Sequence, residues 1–245
     1  MLDLKGKTVF VTGGARRMGR AMCVAAAEAG AKVAFTYLRS ADDAERTVKL
    51  IEKSGASALA IKCDVRSEEM VAGAVNKIIE QLGTLDVLIN NAGLYETVAL
   101  EEITVEQWDA MFATNVRGPF LVSRYVAPAL RKSGGRIINL GSLGGEKPWA
   151  THAHYCASKA ALHMLTRVMA KALAPEIAVN CVAPGMIESG EGAGDPVLKA
   201  RLAQRTPMQR NGTAQDVVNA VMYFAAAPHF ITGQILTVDG GLSLA

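Results

Sequence analysis

Seven short apolar runs, separated by longer amphipathic stretches, constrain this chain more than any other feature. The runs are "KTVFVTG" (7–13), "KVAFTYL" (32–38), "ALAIKCDV" (58–65), "LDVLINNAG" (85–93), "GRIINLGS" (135–142), "IAVNCVAPG" (177–185) and "QILTVDGG" (234–241). Several are apolar without alternation, as expected of parallel strands covered on both faces. Between them, one amphipathic stretch opens near Gly19 and stops at Gly30, and others cover about 41–54, 67–82, 104–131, 155–173 and 213–226. Repeated strand–helix–strand units require right-handed crossovers, so the expected fold is α/β: a doubly wound, seven-stranded parallel sheet with helices on both faces. No linker, repeat or low-complexity segment divides the 245 residues, and half of them are hydrophobic, so one domain is expected over 1–245. The longest irregular piece, "PGMIESGEGAGDPVLK" (184–199), predicts a flexible substrate flap at about 186–205.

Composition excludes several classes. No apolar run reaches the roughly 18 residues of a membrane span. The opening "MLDLKGKTVFVTGG" lacks the apolar core of a secretory leader. Cys23, Cys63, Cys156 and Cys181 are far apart and form no C-x-x-C pair, which predicts reduced thiols, a cytoplasmic protein and no metal site. A net charge of +3, scattered along the chain, gives no basis for a nucleic-acid partner.

In a doubly wound sheet, ligands bind beyond the carboxyl ends of the strands, where strand order reverses. The first run leads there into "GGARRMG". Gly13 and Gly14 suit a sharp turn, Gly19 lets the next helix pack closely, and the free amides of that helix would attract a pyrophosphate. Taken alone, the loop also fits a plain strand-to-helix turn, because it departs from G-x-G-x-x-G. The second strand ends "FTYLRSADD", with Thr36 and Tyr37 where NAD-binding folds place an acid, then Arg39 and Ser40. A guanidinium and a hydroxyl suit a 2′-phosphate, so NADP(H) is favoured over NAD(H). Asp42 and Asp43 fit the first turn of the following helix.

"HYCASKAAL" carries Tyr155 and Lys159, which share one face if the segment is helical. An ammonium beside a phenol would lower the tyrosine pKa and suit it to proton exchange with a carbonyl or alcohol oxygen. Ser142, thirteen residues upstream of the tyrosine, places a hydroxyl at the mouth of the same crevice.

With these pieces together, the chain resembles the short-chain dehydrogenase/reductase family, a Rossmann-type fold, over essentially its whole length. The resemblance rests on "TGGARRMG", "CDV" (63–65), "NNAG" (90–93), Asn115 in "TNVRG", Ser142, "YCASK" (155–159), "NCVAPG" (180–185) and "ITGQILTVDGG" (231–241), in that order and spacing. It implies a catalytic tetrad. Tyr155 would be the general acid or base. Lys159 would tune it and bond the nicotinamide ribose. Ser142 would position the substrate carbonyl, and Asn115 would hold a water in a proton relay. For the cofactor it implies Gly13, Arg16, Arg17, Met18 and Gly19 in the loop, with Arg16 reaching the adenosine phosphate beside Arg39 and Ser40. Arg17 stands where relatives carry glycine, so the loop should bend differently there or turn that side chain outward. Asp64, followed by Val65, would bond the adenine amine. Asn91, Ala92 and Gly93 would line the adenine ribose, and Pro184, Gly185, Ile187 and Ser189 the nicotinamide end.

The reaction implied is hydride transfer between nicotinamide C4 and a carbonyl carbon of a small-molecule substrate. "APGMIES" and "ITGQILTVDGG" resemble 3-oxoacyl-[acyl-carrier-protein] reductases, whereas "TGGARRMGRA" and "YLRSADDAE" resemble the cofactor loop of pteridine reductases. Ser142 stands where pteridine reductases carry aspartate, which favours ordinary ketone chemistry. Pro175-Glu176 stands where carrier-protein reductases place an arginine, which weakens an acyl-carrier-protein partner. A pteridine reductase or a promiscuous ketone or diketone reductase is the near alternative, and a non-catalytic NADP(H)-binding sensor the alternative of another class. Trp149, His152, His154 and Met186 are candidates for the substrate mouth. Relatives are commonly homotetramers, and the apolar faces of 162–174 agree with burial against a partner.

Overall fold

A computed structural model of the chain describes residues 3–188 and 195–245. All seven runs form strands. In chain order the first half contains β1 (Thr8–Val11), α1 (Arg17–Glu28), β2 (Lys32–Tyr37), α2 (Ala41–Lys53), β3 (Ala58–Lys62), α3 (Glu68–Leu82) and β4 (Val87–Asn90). The second half contains α4 (Val105–Phe112), α5 (Gly118–Ser133), β5 (Arg136–Leu140), α6 (Ala153–Leu173), β6 (Ala178–Pro184), β7 (Ile187–Glu188), α7 (Pro196–Arg205), β8 (Gly212–Thr213), α8 (Ala214–Ala226) and β9 (Ile235–Val238).

The main sheet has seven parallel strands in the order β3-β2-β1-β4-β5-β6-β9. Strand order reverses between β1 and β4, which opens the crevice there. The unalternating strands are explained by two cores, one on each face. Val9, Val11 and Phe35 pack with α1 and α8 through Met22, Ala26, Val217 and Val221. Phe10, Ala34 and Leu88 point the other way, against Val75, Ile78, Val126 and Leu130 of α3 and α5. Successive side chains on a strand face opposite sides. Each side here is dry, so apolar residues are needed at both parities.

Two expectations need correction. The 104–131 stretch is not one α-helix: Ala113–Arg117 forms a π-helical turn between α4 and α5. The 184–199 stretch is not uniformly irregular: Ile187–Glu188 pairs in parallel with Gly212–Thr213, and Asp195 caps α7 by accepting from the Val197 amide at 2.9 Å. Residues 189–194, including Ser189, lie outside the described residues. Local chemistry fixes the other boundaries: Gly30 (φ +90) follows α1, and Thr104–Gln107 and Thr213–Asp216 form capping boxes on α4 and α8.

Candidate active site

The first loop is held by its neighbours before any ligand is considered. Gly13 has φ +67, a left-handed conformation that favours glycine. Its amide donates to Thr36 Oγ1 (3.1 Å), and the Gly14 amide donates to the Thr36 carbonyl (2.9 Å). Buried Thr36, where an acid was sought, is thus spent on the loop. From β4, Asn91 Nδ2 donates to the carbonyls of Thr12 (2.9 Å) and Gly13 (3.0 Å), while the Asn91 and Ala92 amides both donate to Thr12 Oγ1 at 3.0 Å. A Cβ on Gly19 would run into the Gly13 carbonyl oxygen and lie 2.8 Å from Asn91 Nδ2. The result is a close backbone cradle at the amino end of α1, which fits a dinucleotide pyrophosphate. Arg16 and Arg17 are both exposed and Met18 is half-buried against the core. Arg17 takes φ +50, a left-handed conformation that glycine adopts more readily than arginine.

The adenosine end gathers more cations than the sequence suggested. Arg39 is exposed, and Ser40 precedes α2 without a side-chain cap bond. Asp64 is already engaged: Arg66 donates from Nε to Oδ1 (2.9 Å) and from Nη2 to Oδ2 (2.7 Å). That pairing, with a contribution from the nearby Arg39 charge, holds the Asp64 carboxyl below its ordinary value. An adenine amine would therefore meet an acid shared with Arg66, which sequence reasoning missed. Val65 is buried against the start of α5, where Gly118 leaves room for it. Arg20 was missed as well; it braces the loop by donating to the Ala15 carbonyl (2.8 Å), Thr47 Oγ1 (2.9 Å) and Asp43 Oδ1 (2.8 Å).

The catalytic candidates converge beyond β4, β5 and β6. Lys159 is buried on α6, and its Nζ donates to the Leu140 carbonyl at the end of β5 (2.7 Å). It lies 5.8 Å from the centroid of the Tyr155 ring. The expectation that Lys159 lowers the tyrosine pKa is not met. Burial dominates and pushes the phenol up to about 12, with Ser142 pulling the other way by hydrogen bonding and Tyr95 and Cys156 adding to the rise. Burial likewise draws Lys159 down to about 8. Ser142 Oγ accepts from the Gly144 amide (3.1 Å). Its own backbone N–H points at His163 Nε2 (3.4 Å), one turn beyond Lys159 on α6. His163 was not singled out, although its i+4 relation to Lys159 was the available signal. Burial, with the Lys159 charge, holds His163 down at about 4, so it stays neutral as an acceptor.

Asn115 sits in the π-helical turn. Its Oδ1 accepts from the Leu94 amide (2.8 Å) and its Nδ2 donates to the Leu94 carbonyl (2.9 Å) and Ser158 Oγ (3.0 Å). Helix distortion and site-building thus coincide: the irregular turn aims the amide at the peptide after Gly93. A Cβ on Gly93 would lie 3.4 Å from Asn115 Oδ1 and 3.8 Å from Lys159 Nζ, so these three groups share one small space. Clamping Leu94 also sets its neighbour Tyr95, whose ring meets Tyr155 edge-on at 5.0 Å. The Tyr95 hydroxyl is 2.6 Å from His152 Nε2.

On the nicotinamide side, Pro184 pairs with Val238, the Gly185 amide donates to the Val238 carbonyl (2.9 Å), and Ile187 begins the small sheet. Trp149, His152 and Met186 line a cavity of about 300 Å³ beside Tyr95. His154 does not: it is fully buried, 3.5 Å from Glu96 Oε2, because residue 154 faces inward on α6. All four cysteines are free.

A glycine cradle at the reversal of a parallel sheet, with tyrosine, lysine and serine converging beyond the same strand ends, is the arrangement of a dinucleotide-dependent oxidoreductase. Comparison with known proteins agrees. The family described as "Enoyl-(Acyl carrier protein) reductase" matches residues 13–243. A 3-oxoacyl-[acyl-carrier-protein] reductase from Staphylococcus epidermidis is 36% identical, covering 96% of this chain and 98% of the relative. A short-chain dehydrogenase/reductase from Serratia marcescens has a TM-score of 0.93 at 38% identity, covering 98% of this chain and 99% of that one. A gluconate 5-dehydrogenase from Burkholderia cenocepacia, solved with NADP and tartrate, has a TM-score of 0.93 at 32% identity, covering 100% and 98%. The chain belongs to the short-chain dehydrogenase/reductase family, and as such it is an oxidoreductase that uses a nicotinamide cofactor.

Proposed function

We propose that the protein is an NADP(H)-dependent carbonyl reductase and alcohol dehydrogenase, formed by one cofactor-binding domain and resembling 3-oxoacyl-thioester reductases. The observation that carries this reading is the convergence of Ser142, Tyr155 and Lys159 beside the cradle, with Asn115 clamped behind them. A nicotinamide cofactor held at the Gly13–Gly19 cradle would supply hydride chemistry at its C4. The protein does the rest. Tyr155, held up at about 12, is protonated near neutral pH and stands ready to give its proton to a carbonyl oxygen as negative charge develops there. Ser142 presents a hydroxyl to the same oxygen. Lys159 is anchored on the Leu140 carbonyl and remains largely charged at neutral pH, beside the space that a ribose would occupy. Asn115 fixes the Leu94 peptide, and with it one wall of the site.

The cations of Arg39 and Arg66, with Arg16 exposed at the loop, favour a 2′-phosphate and hence NADP(H) over NAD(H). The spacing of four residues between Tyr155 and Lys159 favours carbonyl over enoyl reduction. We read the protein as a cytoplasmic homotetramer. Among the described residues no helix is long and apolar enough to cross a membrane, and Phe120, Met164 and Val168 expose an apolar face on α5 and α6. The test is to follow NADPH oxidation with ketones, diketones, 3-oxoacyl thioesters and quinones. Tight NADPH binding without turnover of any of them would replace the reductase reading with that of a cofactor-binding sensor.

A further inference from the structure

The substrate end carries more charge than carbonyl chemistry needs. The cavity of about 300 Å³ has Tyr95 and His152 on its inner side, next to the Tyr155 ring. Its other wall is α7, which contributes Leu198, Arg201, Leu202 and Arg205. These positions follow the i, i+3, i+4, i+7 spacing of one helix face, so a single stripe of α7 lines the space with two leucines and two arginines. Lys147 lines it too. The Lys147 ammonium donates to the Leu242 carbonyl (3.1 Å) and to an oxygen of the last residue, Ala245 (2.6 Å), which hold it in place and leave one of its three donors unused.

Against these three cations, no described residue lining the cavity is an aspartate or glutamate. Among the described residues, no ion pair is formed by Arg201 or Arg205. A cation in the last turn of a helix has a local reason to be there, which accounts for Arg205 but not for Arg201 one turn earlier. The unpaired like charges of Arg201 and Arg205 beside a small cavity repel one another, and an anion between them relieves that repulsion.

We propose that this cavity selects small oxo acids and their hydroxy-acid products, with the substrate carboxylate bound by Arg201 and Arg205 and further attracted by Lys147. This rests on the carbonyl-reductase reading and narrows its substrate class. In the reduction, the carbonyl carbon would gain the hydride that NADPH loses on becoming NADP⁺, its oxygen would gain the proton of Tyr155, a proton from solvent would restore the phenol, and the carboxylate is unchanged. Phosphates on the arm of a coenzyme A or carrier-protein thioester carry the same charge. A volume of about 300 Å³ lies at the lower end for small-ligand pockets and favours the free acid.

The experiment compares kcat/KM with NADPH for 3-oxohexanoate, 4-oxopentanoate and 5-oxohexanoate, for the methyl ester of each, and for 3-oxohexanoyl-coenzyme A. It is run on the unmodified protein and on the Arg201→Ala, Arg205→Ala and doubly substituted variants. At least one free acid should exceed its ester by about tenfold or more, as expected for charge-assisted hydrogen bonds. The double substitution should remove most of that advantage, largely through KM, and leave ester turnover within about twofold. Added salt should weaken the acid and not the ester. Esters turned over as well as acids, or equal losses for both in the double variant, would overturn the proposal. So would a loss confined to the thioester, which would assign the arginines to the carrier arm. Turnover of esters with no preference for acids defeats this proposal alone; no turnover of any carbonyl compound defeats the reductase reading. In that second event, calorimetry with hexanoate and methyl hexanoate on the NADP⁺-saturated protein still decides: carboxylate binding lost in the double variant supports the site, and its absence in the unmodified protein refutes it.

Discussion

The cradle can be tested by making the same chemical change at two glycines. Gly19 lies in α1, and a Cβ there would overlap the Gly13 carbonyl oxygen, with Asn91 Nδ2 at 2.8 Å and Gly14 Cα at 3.0 Å. Two of these neighbours are backbone, and the third is fixed by two hydrogen bonds, so none can swing away. Gly73 lies in α3 with nothing within 4 Å of its Cβ position. Alanine in place of glycine inside a helix gains up to about 1 kcal/mol of propensity. Gly73→Ala should keep that gain, and its melting temperature should rise by roughly 2–4 °C for a protein of this size. Gly19→Ala has the same gain set against overpacking of about 3 kcal/mol, the upper end for a site that cannot relax. The net loss of about 2 kcal/mol lowers the melting temperature by roughly 4–8 °C. Thermal unfolding followed by circular dichroism on both variants, without cofactor, reads the difference directly. NADPH titration by fluorescence should then show weaker binding for Gly19→Ala and unchanged binding for Gly73→Ala. The reasoning fails if Gly19→Ala melts at or above the unmodified protein, or if the two variants shift together.

Four further outcomes are expected. Tyr155→Phe should keep NADPH affinity and lose about 10²-fold or more of turnover in steady-state assays; a variant at the unmodified rate would remove Tyr155 from its role. Arg39→Ala should raise the KM for NADPH by about tenfold while leaving that for NADH nearly unchanged, and Arg16→Ala should weaken NADPH binding in a salt-dependent way. Lys159 is held near 8 by burial, below its ordinary 10.5. Between those values the unfolded chain binds more protons than the folded one, so this residue makes stability rise with pH across the window and lowers it as pH falls toward 8. Compared with Lys159→Met in urea titrations from pH 7 to 10.5, the unmodified protein should gain roughly 3 kcal/mol across the window, and parallel curves would contradict the burial of a charged lysine.

The sheet was legible because its strands are buried on two faces, which forces apolar residues at both parities and leaves runs such as "KTVFVTG" with no other plausible reading. The convergence of Ser142, Tyr155 and Lys159 was legible because strand ends and one helix face bring them together in any sheet of this order. Other features depend on contacts that spacing does not encode. The Asp64–Arg66 pair closes across two residues in a loop, where no period applies. The height of the Tyr155 pKa depends on how deeply the phenol is buried, which spacing does not encode. The inward turn of His154 and the bracing by Arg20 follow from three-dimensional packing. The cationic face of α7 lay in a stretch whose glycines and single prolines masked a helix beginning at Pro196.

The π-helical turn at Ala113–Arg117 has a consequence for how the protein tolerates sequence-length change. Such a turn amounts to one residue inserted into an α-helix, and each residue rotates the following helix by about 100°. Deleting a single residue between 113 and 117 would bring α4 and α5 into phase as one regular helix with better-formed backbone bonds. It would also remove the turn that aims Asn115 at the Leu94 peptide. At this one place a more ideal helix would give a worse enzyme, so shortening by one residue should be far less tolerated here than substitution.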